Sequence, residues 1–167
     1  MSKQNITHYT TKKDTNIAEK CLEVKHSHVH GKGLFAIKAI KKGEKIIEYE
    51  GEHISWQEAD ERHPHDPNDP YHTFYFQLES SDVIDGGVGG NESRWINHSC
   101  DPNTEAYEED DERVFIYAIK NIAMGEEVTY NYRLVLDEEY TPELEACYAC
   151  RCGSKNCRGT MLGPKEE

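Results

Sequence analysis

The stretch that decides the fold is Arg94-Trp95-Ile96-Asn97-His98-Ser99-Cys100-Asp101-Pro102-Asn103. Within ten positions it combines a guanidinium, two amides, an imidazole, a hydroxyl and a thiol with few apolar residues. These groups can donate and accept hydrogen bonds, and the thiol can bind a soft metal as its thiolate. Any five of them alone would be typical of a polar turn that bonds to its own backbone. The interpretation as a functional site therefore depends on partners elsewhere in the chain.

A second cysteine-rich segment lies near the C-terminal end, and it reads Cys147-Tyr148-Ala149-Cys150-Arg151-Cys152-Gly153-Ser154-Lys155-Asn156-Cys157. This density is typical of a structural zinc site, which needs four sulfur or nitrogen ligands. Three of these cysteines together with Cys100 would complete one site. The sulfurs would then lie within about 4 Å of one another, because Zn–S bonds are about 2.3 Å long. Cys147 competes as a ligand, since Cys147 and Cys150 have zinc-knuckle spacing.

The composition indicates one soluble domain with a real core. The 167 residues are 36% hydrophobic and 31% charged, and no apolar run approaches the roughly 20 residues of a membrane span. No secretory signal is visible, so we expect a cytoplasmic protein without membrane contact; delivery to a host nucleus would leave no mark in the sequence. The net charge of -13 argues against direct nucleic-acid binding and favours a cationic polypeptide as partner.

Local patterns predict mostly short strands and few helices. Residues 1–20 are polar and aperiodic, which predicts a mobile N-terminal extension. Capping patterns predict short helices after Ser55 and after Thr141. Strands are predicted at the ranges 22–25, 45–49, 74–78, 104–107, 113–119 and 128–134, whereas the proline-rich run 63–70 is predicted to be irregular and Gly86–Gly90 to form a mobile link.

Two further patterns leave alternatives open. His26, His28 and His30 would share one face of an extended segment, which would suit either a metal site or a solvated edge. The acidic run Glu108–Glu112 would form either a solvated hairpin tip or a docking surface for a basic substrate.

In order along the chain, five motifs resemble those of the SET-domain protein lysine methyltransferases, over about Leu22 to Leu162. Besides the Arg94 stretch, these are Gly31-Lys32-Gly33-Leu34-Phe35-Ala36, Glu48-Tyr49-Glu50-Gly51-Glu52, Gly125-Glu126-Glu127-Val128-Thr129-Tyr130-Asn131-Tyr132 and Cys150-x-Cys152-x4-Cys157. The short domain and the run Val88-Gly89-Gly90-Asn91 are most similar to the compact bacterial members.

The resemblance implies a mainly β architecture, the β-clip SET fold. Small curved sheets would surround a knot-like C-terminal crossing, with few short helices and a zinc-binding tail. The SET domain would occupy residues 21–140, and a post-SET zinc-binding segment residues 141–167. The metal ligands would be Cys100, Cys150, Cys152 and Cys157 around one structural Zn²⁺.

The resemblance also implies a site for S-adenosylmethionine. The backbone of Lys32, Gly33 and Leu34 would hold its methionyl part. The other cofactor-binding residues would be Arg94, Asn97, His98, Tyr132, Met161 and Leu162. Tyr132 would be the catalytic tyrosine, and Phe74–Leu78 would supply part of a lysine channel.

The chemistry implied by the resemblance is methyl transfer to a lysine amine. Burial beside a sulfonium would lower the pKa of the lysine, so no strong general base is needed. A hydroxyl on Tyr130 can hold the amine and crowd out further methyl groups. This predicts monomethylation as the main product, with dimethylation second. The substrate would be a basic protein, such as a histone or histone-like protein, and the enzyme a monomer.

Two other classes of function compete with this hypothesis. A catalytically inactive, zinc-stabilised module could bind a lysine-containing peptide. A redox or metal sensor could use the cysteine tail, but it would leave the Gly31 and Tyr132 regions without a purpose.

Overall fold

A computed structural model describes residues 21–62 and 73–165 of the chain. The predicted extension at residues 1–20 and the proline-rich run 63–70 lie outside the described residues. Short strands dominate the described ranges: β1 Leu22–His26, β2 Lys32–Ala36, β3 Lys45–Tyr49, β4 Glu52–Ile54, β5 Tyr75–Gln77, β6 Val83–Asp85, β7 Asn97–His98, β8 Thr104–Glu108, β9 Val114–Ala118 and β10 Glu127–Tyr130. Helices are few and short: α1 Trp56–Arg62, a 3-10 helix Glu92–Trp95 and α2 Pro142–Cys147.

The first sheet joins both ends of the domain in the order β1-β2-β10-β7. Strand β2 pairs antiparallel with β1 and β10, whereas β10 pairs parallel with β7 through Thr129–Asn97 and Tyr130–His98. Its central side chains, Leu34 and Val128, are fully buried. This pairing is what brings the Arg94 stretch beside the strand that carries Tyr130.

The other two sheets have three strands each. In β3-β9-β8, the β8–β9 hairpin matches the predicted one, and its acidic tip is largely exposed. In β4-β6-β5, the fully buried Asp85 of β6 accepts a hydrogen bond from Arg62 of α1 at 3.1 Å. Helix α1 begins after Ser55, whose hydroxyl accepts from the amide of Glu58, as the capping pattern predicts.

The main hydrophobic core lies between the first two sheets. It contains buried residues of β1, β2, β3, β9 and β10, together with Ile40, Ile96 and Ile122. Two smaller clusters centre on Tyr49 and on Ile54. Among the described residues, no helix is both long and apolar enough to cross a bilayer.

The predicted strand 128–134 is too long. Strand β10 ends at Tyr130, and Arg133 has a φ of +51°, which breaks extended structure. The Asn131 side chain accepts from the Arg133 amide, and the Tyr132 amide donates to His98 Nδ1 at 3.1 Å instead of to a neighbouring strand. The contact with His98 therefore coincides with a bend in the chain at Tyr132, the predicted catalytic tyrosine.

The glycine run 86–90 forms a turn in which Gly86 is buried, whereas Gly87, Val88 and Gly89 are exposed. The Gly86 amide donates to Phe74 O at 2.9 Å. A Cβ on Gly90 would lie 2.1 Å from Gly86 O. Gly90 lies too close to the neighbouring backbone for a side chain, whereas Gly89 adopts a φ of +64°, which favours glycine.

The C-terminal segment folds back onto the residues after β10. Helix α2 begins at Pro142 with Thr141 as its N-cap, as predicted. Leu134 forms a parallel bridge with Leu162, and the Gly163 amide donates to Leu134 O at 2.7 Å. The Tyr140 hydroxyl donates to Gly163 O at 3.2 Å, which fastens the end of the described chain to the segment before α2.

Candidate functional site

Four cysteine sulfurs meet where the tail reaches the Arg94 stretch. Cys100, Cys150, Cys152 and Cys157 have their sulfurs within 4.8 Å of one another, and Cys100 Sγ lies 3.7 Å from Cys150 Sγ. A tetrahedral zinc with Zn–S bonds of about 2.3 Å requires sulfur separations of about 3.8 Å. The donor set and its spacing thus fit a zinc ion with all four positions filled by sulfur.

The surroundings of these sulfurs suit thiolates. The Arg158 amide lies 3.5 Å from Cys100 Sγ, and the Gly159 amide donates to Cys157 Sγ at 3.4 Å. Cys147, the competing ligand considered from its spacing, is exposed and outside the cluster. Within the described ranges the alternating histidines form no metal-binding group either: β1 ends at His26, and His28 and His30 are exposed.

An aromatic cluster lies beside this metal-ligand set. The rings of Tyr130 and Tyr132 have centroids 4.9 Å apart, and Phe76 packs 6.3 Å from Tyr130 and 5.5 Å from Tyr49. The His98 ring meets Tyr132 edge-on at 5.3 Å. The two predicted catalytic tyrosines are therefore brought together next to one of the predicted cofactor-binding residues.

The tyrosine hydroxyls of this cluster are held in the neutral form. Burial raises the pKa of Tyr132 well above its ordinary value, and the neighbouring Tyr130 and Glu127 raise it further. Burial also raises the pKa of Tyr130. Tyr132 donates its hydroxyl proton to the carbonyl of Ile96. Its oxygen consequently keeps lone pairs with which it can accept a hydrogen bond.

His98 is a neutral imidazole in a fixed tautomer. Its Nδ1 accepts from the Tyr132 amide, so the ring proton is on Nε2, which lies 3.5 Å from Cys100 Sγ. Burial and the positive charge of Arg158 lower the pKa of His98 to about 4. The side chain thus links the bend at Tyr132 to the cysteine cluster, whereas sequence reasoning gave it a direct contact with the cofactor.

The predicted cofactor loop is held by Asn97. Its side-chain nitrogen lies 2.9 Å from Lys32 O, 2.8 Å from Glu127 Oε1 and 3.3 Å from His30 O. Gly31 has a φ of +43°, as expected of this loop. Gly33 faces protein, however, because a Cβ there would lie 2.2 Å from Glu127 Oε1. The space left by the second glycine is filled by a carboxylate of the chain itself.

Arg94 provides the clearest sign of an anionic ligand. Its Nε is buried and has no hydrogen-bond partner in the described part of the chain. Its guanidinium lies 5.0 Å from the Trp95 ring, which also has the Lys32 ammonium 4.9 Å away. An unsatisfied buried donor is costly. The unpaired donor of Arg94 fits an anionic group such as the carboxylate of S-adenosylmethionine, so the residues present suit that cofactor.

The predicted lid residues are close to the metal-ligand set in sequence and partly covered. Leu162 is buried and Met161 half-buried, and the Met161 amide donates to Tyr148 O at 2.8 Å. Leu162, Tyr140 and Arg158 line an open groove of about 590 Å³.

Sequence reasoning missed two members of the site. Tyr49 lies within the motif Glu48–Glu52, and its hydroxyl donates to Phe74 O at 2.6 Å inside the aromatic cluster. Glu127 lies in the quoted β10 motif and holds both Asn97 and Ser27. Two features of the sequence could have identified them. Tyr49 is an aromatic residue of a strand within a motif, and Glu127 is a carboxylate next to the apolar Val128 on a strand.

The SET domain family model matches residues 31–133. Over 153 residues the chain is 36% identical to the histone-lysine N-methyltransferase trithorax of Drosophila virilis, which covers 90% of this chain and 4% of the relative. It is 36% identical over 147 residues to human histone-lysine N-methyltransferase SETD1B, covering 86% of this chain and 7% of the relative. Human histone-lysine N-methyltransferase 2B is 33% identical over 144 residues, which is 84% of this chain and 5% of the relative.

The chain thus spans only a small part of the length of these relatives. The family model covers more than half of the chain, from the Gly31 loop to the bend after β10. The observed fold of short strands, small sheets and few helices agrees with the predicted one. The protein therefore belongs to the SET-domain family.

Proposed function

We propose that this chain is an S-adenosylmethionine-dependent protein-lysine N-methyltransferase that mainly monomethylates a lysine of a basic protein. The cofactor, when bound, supplies an electrophilic methyl group on a sulfonium. The observation that carries the proposal is the pair of neutral phenols, Tyr130 and Tyr132, packed against each other beside Asn97 and His98.

In this proposal the chain's own residues bind, orient and neutralise the lysine. The aromatic cluster of Tyr49, Phe76, Tyr130 and Tyr132 would exclude water from the ammonium, and desolvation lowers the pKa of a buried lysine. Tyr132 is anchored through its proton to Ile96 O, so its oxygen can orient the amine by accepting. Neither phenol serves as a strong base, because burial keeps both protonated.

The cofactor-binding roles rest on the polar residues around this cluster. Arg94 and Lys32 would bind the carboxylate, and the backbone of Lys32, Gly33 and Leu34 would bind the methionyl part. Asn97 would contribute its side-chain amide, and Met161 and Leu162 would cover the adenine. His98 would act chiefly by fixing the bend at Tyr132, where its Nδ1 accepts the backbone amide.

The boundaries and the metal site complete the proposal. The SET domain would occupy residues 21–140, and the zinc-binding tail residues 141–167, supported by the helix cap at Thr141. Cys100, Cys150, Cys152 and Cys157 would hold one structural zinc. A monomer would suffice, because both clusters are built from one chain.

The charge of the chain and its relatives support the proposed substrate class. A net charge of -13 favours encounter with a cationic protein. The similar proteins named above are histone-lysine methyltransferases. A histone or histone-like protein is therefore the substrate that we propose.

A radiolabelled methyl-transfer assay on mixed basic proteins tests this function. We expect incorporation by the wild type, a loss of about a hundredfold in Tyr132→Phe because the amine is no longer oriented, and a product that mass spectrometry identifies as monomethyl-lysine. Equal incorporation by both proteins would contradict the role of Tyr132. No incorporation together with no calorimetric binding of S-adenosylmethionine would favour the inactive peptide-binding module.

A further inference from the structure

Glu127 has an unusual position for a carboxylate on a central strand. It is half-buried on β10, and both of its oxygens face the hydroxyl of the buried Ser27, at 2.8 and 2.9 Å. The side-chain nitrogen of the buried Asn97 lies 2.8 Å from Oε1. A partly desolvated carboxylate is costly unless such donors satisfy it. The two donors come from different segments, since Ser27 follows β1 and Asn97 lies on β7.

The chemistry of these partners fixes the orientation of the Asn97 amide. A carboxylate and a backbone carbonyl can only accept, so the two acceptors nearest to Asn97, Glu127 Oε1 and Lys32 O, must both receive its N–H groups. This assignment follows from the partners alone and does not depend on distinguishing nitrogen from oxygen. Asn97 Oδ1 must point the other way.

Asn97 Oδ1 is consequently an available acceptor. Within the described ranges it accepts no hydrogen bond, and it is not one of the buried polar atoms that lack a partner. It is therefore accessible to a ligand. The ammonium and the adenine amino group of S-adenosylmethionine are donors of the kind that it could bind.

Glu127 also fills the space beside the glycine loop. A Cβ on Gly33 would lie 2.2 Å from Glu127 Oε1 and 3.0 Å from the Ser27 Cβ. Ser27 in turn is tied to the loop, because its amide donates to Gly31 O at 2.8 Å and its hydroxyl accepts from the Val29 amide at 3.0 Å. One carboxylate thereby holds both sides of the loop that carries Lys32.

We propose that Glu127 is a positioning residue for cofactor binding: it orients the Asn97 amide so that Oδ1 faces the ligand, and it fixes the Ser27–Gly33 loop. This inference rests on the proposed function and adds a residue that acts through Asn97. Removal of the carboxylate frees the amide to rotate and lets the loop relax. Cofactor affinity should fall while the rate at saturating cofactor changes little, because Tyr132 keeps its hydrogen bonds to His98 and to Ile96 O and stays neutral by burial.

Calorimetric titration with S-adenosylmethionine and with S-adenosylhomocysteine tests the proposal. Glu127→Ala is expected to weaken binding at least about tenfold. The matched control is Glu126→Ala, which removes the same charge from the adjacent, exposed position and is expected to bind as the wild type does. Glu127→Gln keeps one acceptor oxygen and is expected to recover part of the affinity. Equal affinities for the two alanine variants would overturn the proposal.

A double-mutant cycle shows whether Glu127 acts through Asn97. Adding Glu127→Ala to Asn97→Ala is expected to cost much less affinity than Glu127→Ala costs in the wild type, because coupled residues are not additive. Full additivity would contradict the positioning role. A KM for cofactor that rises while kcat stays within about twofold would agree with it.

A measurement in the absence of ligand tests the contact between Glu127 and Asn97 independently of the proposed function. The Asn97 side-chain amide protons are expected to shift in the nitrogen–proton NMR spectrum of Glu127→Gln and to stay in place in Glu126→Gln. If neither variant moves them, Glu127 does not orient the amide. If Glu127→Gln moves them while the wild type binds no cofactor, the positioning contact stands and the proposed function fails.

Discussion

At the scale of single residues, burial determines the chemistry of the tyrosines. Tyr49 lies deepest, and its hydroxyl donates to Phe74 O. Burial raises its pKa well above the ordinary value, and Tyr130 and Tyr132 raise it further. An ionised phenol would therefore be strongly disfavoured inside the cluster, which keeps the site neutral at physiological pH.

Comparing Tyr49→Phe with the wild type should reveal how the ionisation of Tyr49 affects stability as pH rises. At neutral pH we expect the variant to be less stable by about 1 kcal/mol, because it lacks the hydrogen bond to Phe74 O. Above pH about 10 the phenol ionises in the unfolded chain only, so the unfolded state binds fewer protons and wild-type stability falls as pH rises. Phenylalanine has no hydroxyl to ionise, so the variant lacks this loss of stability. The difference in stability between the wild type and Tyr49→Phe should therefore shrink or reverse at high pH.

Urea unfolding of both proteins at about pH 8 and about pH 10.5 measures this change. Comparing the two proteins at each pH removes the contribution of the other titrating groups. A deficit that stays constant or grows at the higher pH would mean that Tyr49 ionises normally in the folded state, contrary to its buried position.

At the scale of elements, α1 is attached to the third sheet through one guanidinium. Arg62 is paired with the fully buried Asp85 of β6 at 3.1 Å, with Glu52 at 2.9 Å and with Glu58 at 2.5 Å. The Glu58 carboxylate is largely exposed, whereas that of Asp85 is fully buried. The Asp85 contact is therefore the one that carries stability, since exposed ion pairs contribute little.

Arg62→Ala should destabilise the protein clearly more than a surface substitution does, because it removes a charged donor from the buried carboxylate of Asp85. Glu58→Ala, which removes only the exposed partner on the same helix, should cost less than about 0.5 kcal/mol. Chemical denaturation gives both values. Similar costs for the two variants would show that the buried contact adds nothing beyond a surface pair.

At the scale of the whole molecule, the described part of the tail is fastened to the described domain at two places. One is the cysteine cluster, in which Cys100 is fifty residues from Cys150. The other is the pairing of Leu134 with Leu162 and the hydrogen bond from Tyr140 to Gly163. The proposed zinc would cross-link the middle of the chain to its end.

Metal removal should release this tail. Chelation is expected to lower the thermal midpoint by more than about 5 °C, because metal-binding energy contributes to folding and each lost kcal/mol lowers the midpoint roughly 2–4 °C in a domain of this size. Limited proteolysis should then cut between residues 141 and 165. A midpoint and a cleavage pattern that are unchanged by a chelator would exclude a structural metal.

Matched cysteine variants identify the ligands in the same experiment. Metal analysis should find about one zinc per chain in the wild type and in Cys147→Ser, since Cys147 lies outside the cluster. Cys150→Ser should lose it. Retention of zinc by Cys150→Ser together with its loss from Cys147→Ser would assign the site to the alternative spacing.

Much of the local structure could be predicted because its causes are local. The Thr141-Pro142 pair predicts the start of α2, the Ser55 pattern predicts α1, and alternating apolar residues predict most of the strands. Ligand chemistry predicted a site made of Cys100 and three of the tail cysteines, whereas only the resemblance to the family favoured Cys150, Cys152 and Cys157 over Cys147. The order of five motifs predicted the family.

What only the tertiary structure decided are the contacts between distant segments. Strand β10 ends at Tyr130 because His98, 34 residues earlier, accepts the Tyr132 amide. The Glu127 carboxylate fills the space beside Gly33, and it also accepts a hydrogen bond from Ser27, which lies 100 residues earlier in the sequence. Tyr49 joins the tyrosine pair only through the packing of separate sheets. Local patterns record propensity and chemistry, whereas these contacts depend on which surfaces of the folded chain meet.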